Sequence, residues 1–178
     1  MTNVLVDHGK ENNSEGNWFP WLKEEMEQLG HKVFVPDFPT PANQTLSEWL
    51  KVFEQYKDYV TPDTIVVGHS LGVPFLLNII EQTRVRVAFL VAGYVDNPSD
   101  ESVQTFCKPF NWKQIKANCG AFQVFHSDDD PYFNFEKGKE LARNLGTDVT
   151  FVKGAGHFNL ASGYKKFDLL AEKIKHFL

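Results

Sequence analysis

The sequence predicts an α/β fold, a three-layer α/β/α sandwich around a mostly parallel sheet of about six strands. Three observations predict it. Short β-branched and apolar runs alternate with stretches of helical apolar spacing along the whole chain. These runs are apolar at consecutive positions, as strands covered on both faces must be. One of them, Thr64-Ile65-Val66-Val67, passes through Gly68-His69-Ser70-Leu71-Gly72 straight into a helical pattern at Phe75, Leu76, Ile79 and Ile80. A chain reversing that sharply needs residues without a Cβ on either side of the turn, which the two glycines supply.

The elements follow in order. Val4-Leu5-Val6 reads as a first buried strand, closed by Asp7-His8-Gly9-Lys10. A helix is expected from Asn17, with Pro20 tolerated in its first turn, Leu22, Met26 and Leu29 on one face, and Gly30 as its stop. Val33-Phe34-Val35 is a second strand, and the prolines at 36, 39 and 41 forbid its continuation as helix. Thr45 with Glu48 three residues on has the form of a capping box, followed by Leu46, Trp49, Leu50, Phe53 and Tyr56 at helical spacing. Beyond the glycine-flanked turn, strands are expected at residues 87–91, 122–125 and 149–152. Further helices are expected near residues 112–117, from Asn134 to a stop at Gly146, and over residues 164–177. The long connection over residues 93–120 is too short to form a separate lid domain.

A chain of 178 residues reads as one domain able to bury roughly 70% of its unfolded surface. Net charge is −5, spread without blocks beyond the triplet Asp128-Asp129-Asp130, so nothing favours a nucleic-acid partner. Cys107 and Cys119 are too few and too poorly spaced for a disulfide framework or a zinc site and read as reduced thiols. The amino-terminal stretch lacks the pattern of a secretory signal, and no apolar run approaches the ~20 residues of a membrane span. A soluble, cytoplasmic protein with no membrane partner is the expectation.

Ser70, at the tip of the turn, is the candidate nucleophile. A serine hydroxyl reacts slowly at neutral pH unless a base takes its proton and a third group orients that base. His157, in Gly154-Ala155-Gly156-His157-Phe158 after the sixth strand, holds the expected last position in the order serine, acid, histidine. Of the other histidines, His69 is expected to turn away into packing and His126 lies in the acid's loop. The acid should follow the fifth strand. Asp130, held extended by Pro131, is the first candidate, with Asp129, Asp128 and Asp96 as alternatives. Oxyanion donors are expected from the backbone N–H of Leu71 and from the loop after the first strand, at Lys10 or alternatively Gly9. Aromatics are abundant, at 14% of residues, and Trp18, Phe106, Phe110, Trp112, Phe133 and Phe158 are candidates for a pocket wall.

With these residues assembled, the chain resembles the α/β-hydrolase superfamily. The likeness is to its small lidless branch around retinoblastoma-binding protein 9 and the bacterial YdeN-like proteins. The likeness rests on Trp18-Phe19-Pro20-Trp21-Leu22, the elbow at residues 65–72, Trp112-Lys113-Gln114-Ile115-Lys116-Ala117-Asn118-Cys119, Asp129-Asp130-Pro131 and Gly156-His157-Phe158. It implies a serine hydrolase with its triad on Ser70, Asp130 and His157, acting on a small acyl substrate. The L-x-C-x-E segment tied to retinoblastoma-protein binding is absent, because Asp58-Tyr59-Val60-Thr61-Pro62 stands there, so that partner is not expected. The expected chemistry is cleavage of a small ester or amide through an acyl-enzyme, needing no metal or organic cofactor. A thioesterase or acyltransferase on the same scaffold, or a catalytically silent binding module, are the alternatives.

Overall fold

The structure, a computed structural model, describes residues 1–96 and 99–178. Six parallel strands form one sheet: β1 (Asn3–Asp7), β2 (Lys32–Phe34), β3 (Ile65–His69), β4 (Val87–Val91), β5 (Phe122–His126) and β6 (Val149–Phe151), ordered β2-β1-β3-β4-β5-β6. Around it stand α1 (Phe19–Gln28), α2 (Leu46–Phe53), α3 (Gly72–Ile80), α4 (Trp112–Asn118), α5 (Phe135–Leu145) and α6 (Asp168–Lys175).

Alternation along each strand divides the core in two. Leu5, Val66, Leu90 and Val124 face one layer, where they meet Trp49 of α2, Phe75 and Leu76 of α3 and Leu141 of α5. Val4, Val6, Val67, Phe89 and Phe125 face the other, packed on Phe19 and Leu22 of α1 and Leu170 and Ile174 of α6. Both faces of the four central strands are thus dry, as the consecutive apolar runs require, while the edge strands β2 and β6 are only partly covered.

The chain leaves β1 for β2 on one side and returns to β3 on the other. Connections therefore diverge at the carboxyl ends of β1 and β3, where open α/β sheets form a ligand crevice.

Several boundaries differ from expectation. α1 begins at Phe19, because Asn17 adopts φ 50° and is occupied holding a neighbouring loop; Leu29, past the end of α1, is exposed. Thr45 caps α2, its Oγ1 accepting from Glu48 N at 3.3 Å, but the box is only half formed, because Thr45 N donates to Asn43 O and the Glu48 carboxylate pairs with Lys51; the helix ends before Tyr56. α6 begins at Asp168, not 164: Asn159 organises a 3₁₀ turn at Leu160–Ser162 and accepts from Tyr164 N, which uses up the preceding residues.

Candidate active site

β3 runs into α3 through a single left-handed residue, Ser70, at φ 55°. A non-glycine there carries backbone strain, which persists only where the surroundings over-determine it. Here they do. A Cβ on Gly72 would lie 2.4 Å from the Asp7 carbonyl oxygen, and one on Gly68 would lie 2.8 Å from that of Gly72, so strand, turn and helix close directly on one another. Ser70 N–H donates to Val91 O at 2.9 Å, anchoring the turn to β4. The serine side chain is left at the carboxyl edge of the sheet, lining an open cavity of about 740 Å³.

His157 lines the same cavity. Its Nδ1 and Asp130 Oδ2 are 2.8 Å apart, and the carboxylate is fully shielded from solvent. Asp130 Oδ1 is itself held by the N–H groups of Tyr132 and Phe133, at 2.9 and 3.1 Å. An acceptor so fixed selects the tautomer with its proton on Nδ1 and leaves Nε2 of His157 with its lone pair.

The acidic triplet is no loose solvated loop. Asp128 Oδ1 accepts from Gly154 N at 2.8 Å, Ser127 Oγ from Ala155 N at 3.0 Å, and Asp129 Oδ1 from Gly156 N at 2.7 Å. Four consecutive residues after β5 thus bind four consecutive residues after β6, the last pair being Asp130 and the His157 ring. Ser127 Oγ also donates to Asp129 at 2.5 Å, which, with the Gly156 bond, holds that carboxyl below its ordinary range. Among the expected acids, Asp128 and Asp129 serve the backbone, and Asp96 pairs with Lys137 of α5, leaving Asp130 on the imidazole.

Three further histidines stand at strand ends, each bonded to a loop of this edge. His8 accepts from Phe38 N through Nε2 at 2.9 Å, so its Nδ1 carries the proton and donates to Gly9 O at 2.7 Å. His69 Nε2 donates to His157 O at 2.8 Å, and His126 Nε2 to Phe133 O at 3.1 Å. Burial pushes all three below the ordinary histidine range, His69 to about 3, so they are neutral structural donors. His69 packs edge-on against Trp18 and Phe19, as expected, yet it also borders the cavity floor.

Of the expected oxyanion donors, Leu71 caps α3, where a helix leaves its first N–H groups without intrahelical partners. Gly9 and Lys10 border the cavity, and Gly9 sits so close that a Cβ there would lie 2.9 Å from Ser70 Cβ.

The pocket wall requires correction. Trp18, Phe106 and Phe158 are fully buried and Phe110 nearly so, while Trp112 is half-buried against the α3 and α4 layer; none of the five lines the cavity. Their spacing reflects the cores under the sheet, where rings remove the most apolar area from water. Trp18 instead braces the site from behind, its Nε1 donating to Phe158 O at 2.9 Å. Of the expected rings, only Phe133 faces the cavity, stacked on Tyr94 at 4.3 Å. Tyr132 stands edge-on to His157 at 4.8 Å and Leu160 completes that rim. Tyr94, Tyr132, Asn17 and Asn159 carried no periodic signal, because each sits in a connection.

A family model described as serine hydrolase matches residues 4–176. The chain belongs to the serine hydrolase family. This serine hydrolase is 30% identical to rat serine hydrolase RBBP9 over 145 residues, covering 79% of this chain and 77% of that one. Over 177 residues it is 27% identical to Bacillus subtilis YdeN, covering 96% and 93%. The crystal structure of the B. subtilis ydeN gene product superposes with a TM-score of 0.92 at 25% identity, over 99% and 98% of the two chains. The hydrolase is therefore an α/β-hydrolase enzyme of the RBBP9 and YdeN kind. Among its described residues, no helix is long and apolar enough to cross a membrane.

Proposed function

We propose that this enzyme cleaves a small carboxylic ester, or an amide, through an acyl-enzyme formed on Ser70. The observation that carries the reading is the fully shielded Asp130 carboxylate on His157 Nδ1, with His157 and the left-handed Ser70 bordering one cavity.

In this reading, His157 Nε2 takes the Ser70 proton as Oγ attacks the carbonyl carbon, then returns it to the leaving group. Water deacylates the serine by the same route. Asp130 holds the ring and stabilises the imidazolium without accepting its proton. Negative charge on the former carbonyl oxygen is met by the N–H groups of Leu71 and Lys10, with Gly9 as the alternative second donor. The Ser70–His157 hydrogen bond that this requires is drawn up in the substrate complex, as catalytic hydrogen bonds can be. No step calls for a metal or organic cofactor, and the substrate is a small molecule.

A fluorophosphonate probe tests the reading, followed by p-nitrophenyl esters of increasing chain length. Labelling and turnover in the wild type, both lost in Ser70→Ala, are expected. A folded wild type silent in both assays would indicate a binding module. Turnover confined to thioesters, or transfer to an acceptor other than water, would move the activity to a thioesterase or acyltransferase.

A further inference from the structure

The loop after β1 is held by a closed ring of side chains that the hydrolysis chemistry does not use. Lys10 Nζ donates to Asp100 Oδ2 at 2.8 Å and to Ser102 Oγ at 3.0 Å. Ser102 Oγ donates its proton to Asp100 Oδ1 at 2.6 Å and accepts from Gln44 Nε2 at 3.3 Å. Gln44 Oε1 accepts from Thr40 Oγ1 at 2.6 Å, and Thr40 Oγ1 accepts from Glu11 N at 2.8 Å. The ring so returns to the residue after Lys10. Every donor and acceptor role is consistent, and Gln44 is only 5% exposed.

The topology gives this ring a direction. Lys10 follows β1, Asp100 and Ser102 follow β4, and β3 with Ser70 lies between those strands. The Lys10–Asp100 pair therefore passes across the serine's own strand end, and both residues border its cavity. Glu11, inside the ring, has φ 54°, a strained conformation for a non-glycine residue and one that needs outside support.

We infer that Asp100 is a positioning residue: through Lys10 and Ser102 it fixes the backbone of residues 9–11 so that its N–H meets the developing oxyanion above Ser70. This rests on the proposed hydrolase mechanism and adds the device that preorganises its second oxyanion donor. The pairing with Lys10 and Ser102 also holds the Asp100 carboxyl below its ordinary range, so it stays ionised wherever a serine–histidine pair works. Both side chains are about one-third exposed, so the pair contributes geometry more than stability.

The test compares wild type, Asp100→Asn, Lys10→Met and the double variant on p-nitrophenyl acetate, with binding of a phenylboronic acid as mimic of the tetrahedral intermediate. Each single variant should lose roughly tenfold in kcat, with KM within about twofold. That is less than the hundredfold or more lost when an oxyanion donor is deleted outright. Boronate affinity should fall by the same factor, and the double variant should be no slower than the worse single, because the two act as one unit. Unchanged kcat in folded Asp100→Asn, or a rise in KM alone, would overturn the positioning role while leaving the hydrolase reading intact. If Asp100→Asn fails to fold, Ser102→Ala, which cuts the same ring, must show the kcat-only loss. A wild type that neither labels nor turns over would overturn the hydrolase reading and this inference with it.

Discussion

His69 Nε2 donates a hydrogen bond to the carbonyl oxygen of His157, 2.8 Å away, and joins the end of the serine's strand to the loop that carries the imidazole. Its other ring nitrogen is buried without a partner among the described residues. The side chain beside Ser70 thus reaches the site through the main chain of His157, the proposed base, and its burial keeps it neutral while it does so.

Removing that tie should loosen His157 without touching the chemistry directly. His69→Ala is expected to lower kcat about tenfold, the effect of one hydrogen bond near 1.4 kcal/mol, with fluorophosphonate labelling slowed but retained. A kcat within twofold of wild type in a folded variant would count against the coupling.

The four-by-four clasp between residues 127–130 and 154–157 separates one chemical role from three structural ones. Asp130→Asn should cost on the order of a thousandfold or more in kcat, because an amide neither selects the same tautomer nor stabilises the imidazolium. Asp129→Asn, which weakens the bonds from Gly156 N and Ser127 Oγ but leaves the Asp130–His157 pair in place, should cost about tenfold or less and lower the melting temperature. Comparable losses in the two, measured by steady-state kinetics, would mean that the acid has been misassigned.

Asp7, at the end of β1, is fully buried, and neither carboxylate oxygen has a hydrogen-bond partner among the described residues. Desolvation raises its carboxyl well above the ordinary range. The sign follows: the folded state keeps a proton that the unfolded chain releases above about pH 4, so this group removes stability as pH rises. Asp7→Asn should melt higher than wild type at pH 8, and the gap should close towards pH 4. Parallel melting curves across that range would refute the account.

His8, His69 and His126 act in the opposite direction. Each is held neutral by burial, so below pH 6.5 the unfolded chain takes up protons that the folded one refuses, and stability falls with acidification. For His69 the loss continues until its folded value near pH 3. Because Asp7 offsets part of this loss in the wild type, the fall in melting temperature from pH 7 to pH 4 should be steeper in Asp7→Asn. A flat profile in that variant would contradict the neutral assignment of the three rings.

Local sequence was sufficient for whatever depends on neighbours along the chain. Five-residue apolar runs such as Val87–Val91 suit doubly covered strands, the Thr45 cap and the Gly146 stop act within one turn, and Gly68 is required by the close return of Gly72 four residues on, although it is the Asp7 carbonyl of β1 that excludes a side chain at Gly72. Order along the chain also made Ser70, Asp130 and His157 the candidates, since each follows a different strand that ends on the same edge. Contacts between loops distant in sequence have no such signature. Whether a ring enters a core or a pocket depends on which layer its segment meets, so Trp18 and Phe106 could not be told from Phe133 beforehand. Likewise, only folding brings Lys10 to Asp100, ninety residues away, and Asp128 and Asp129 to the glycines around His157. Periodicity encodes burial against a sheet, whereas polar pairing between connections is decided by where the strands deliver them.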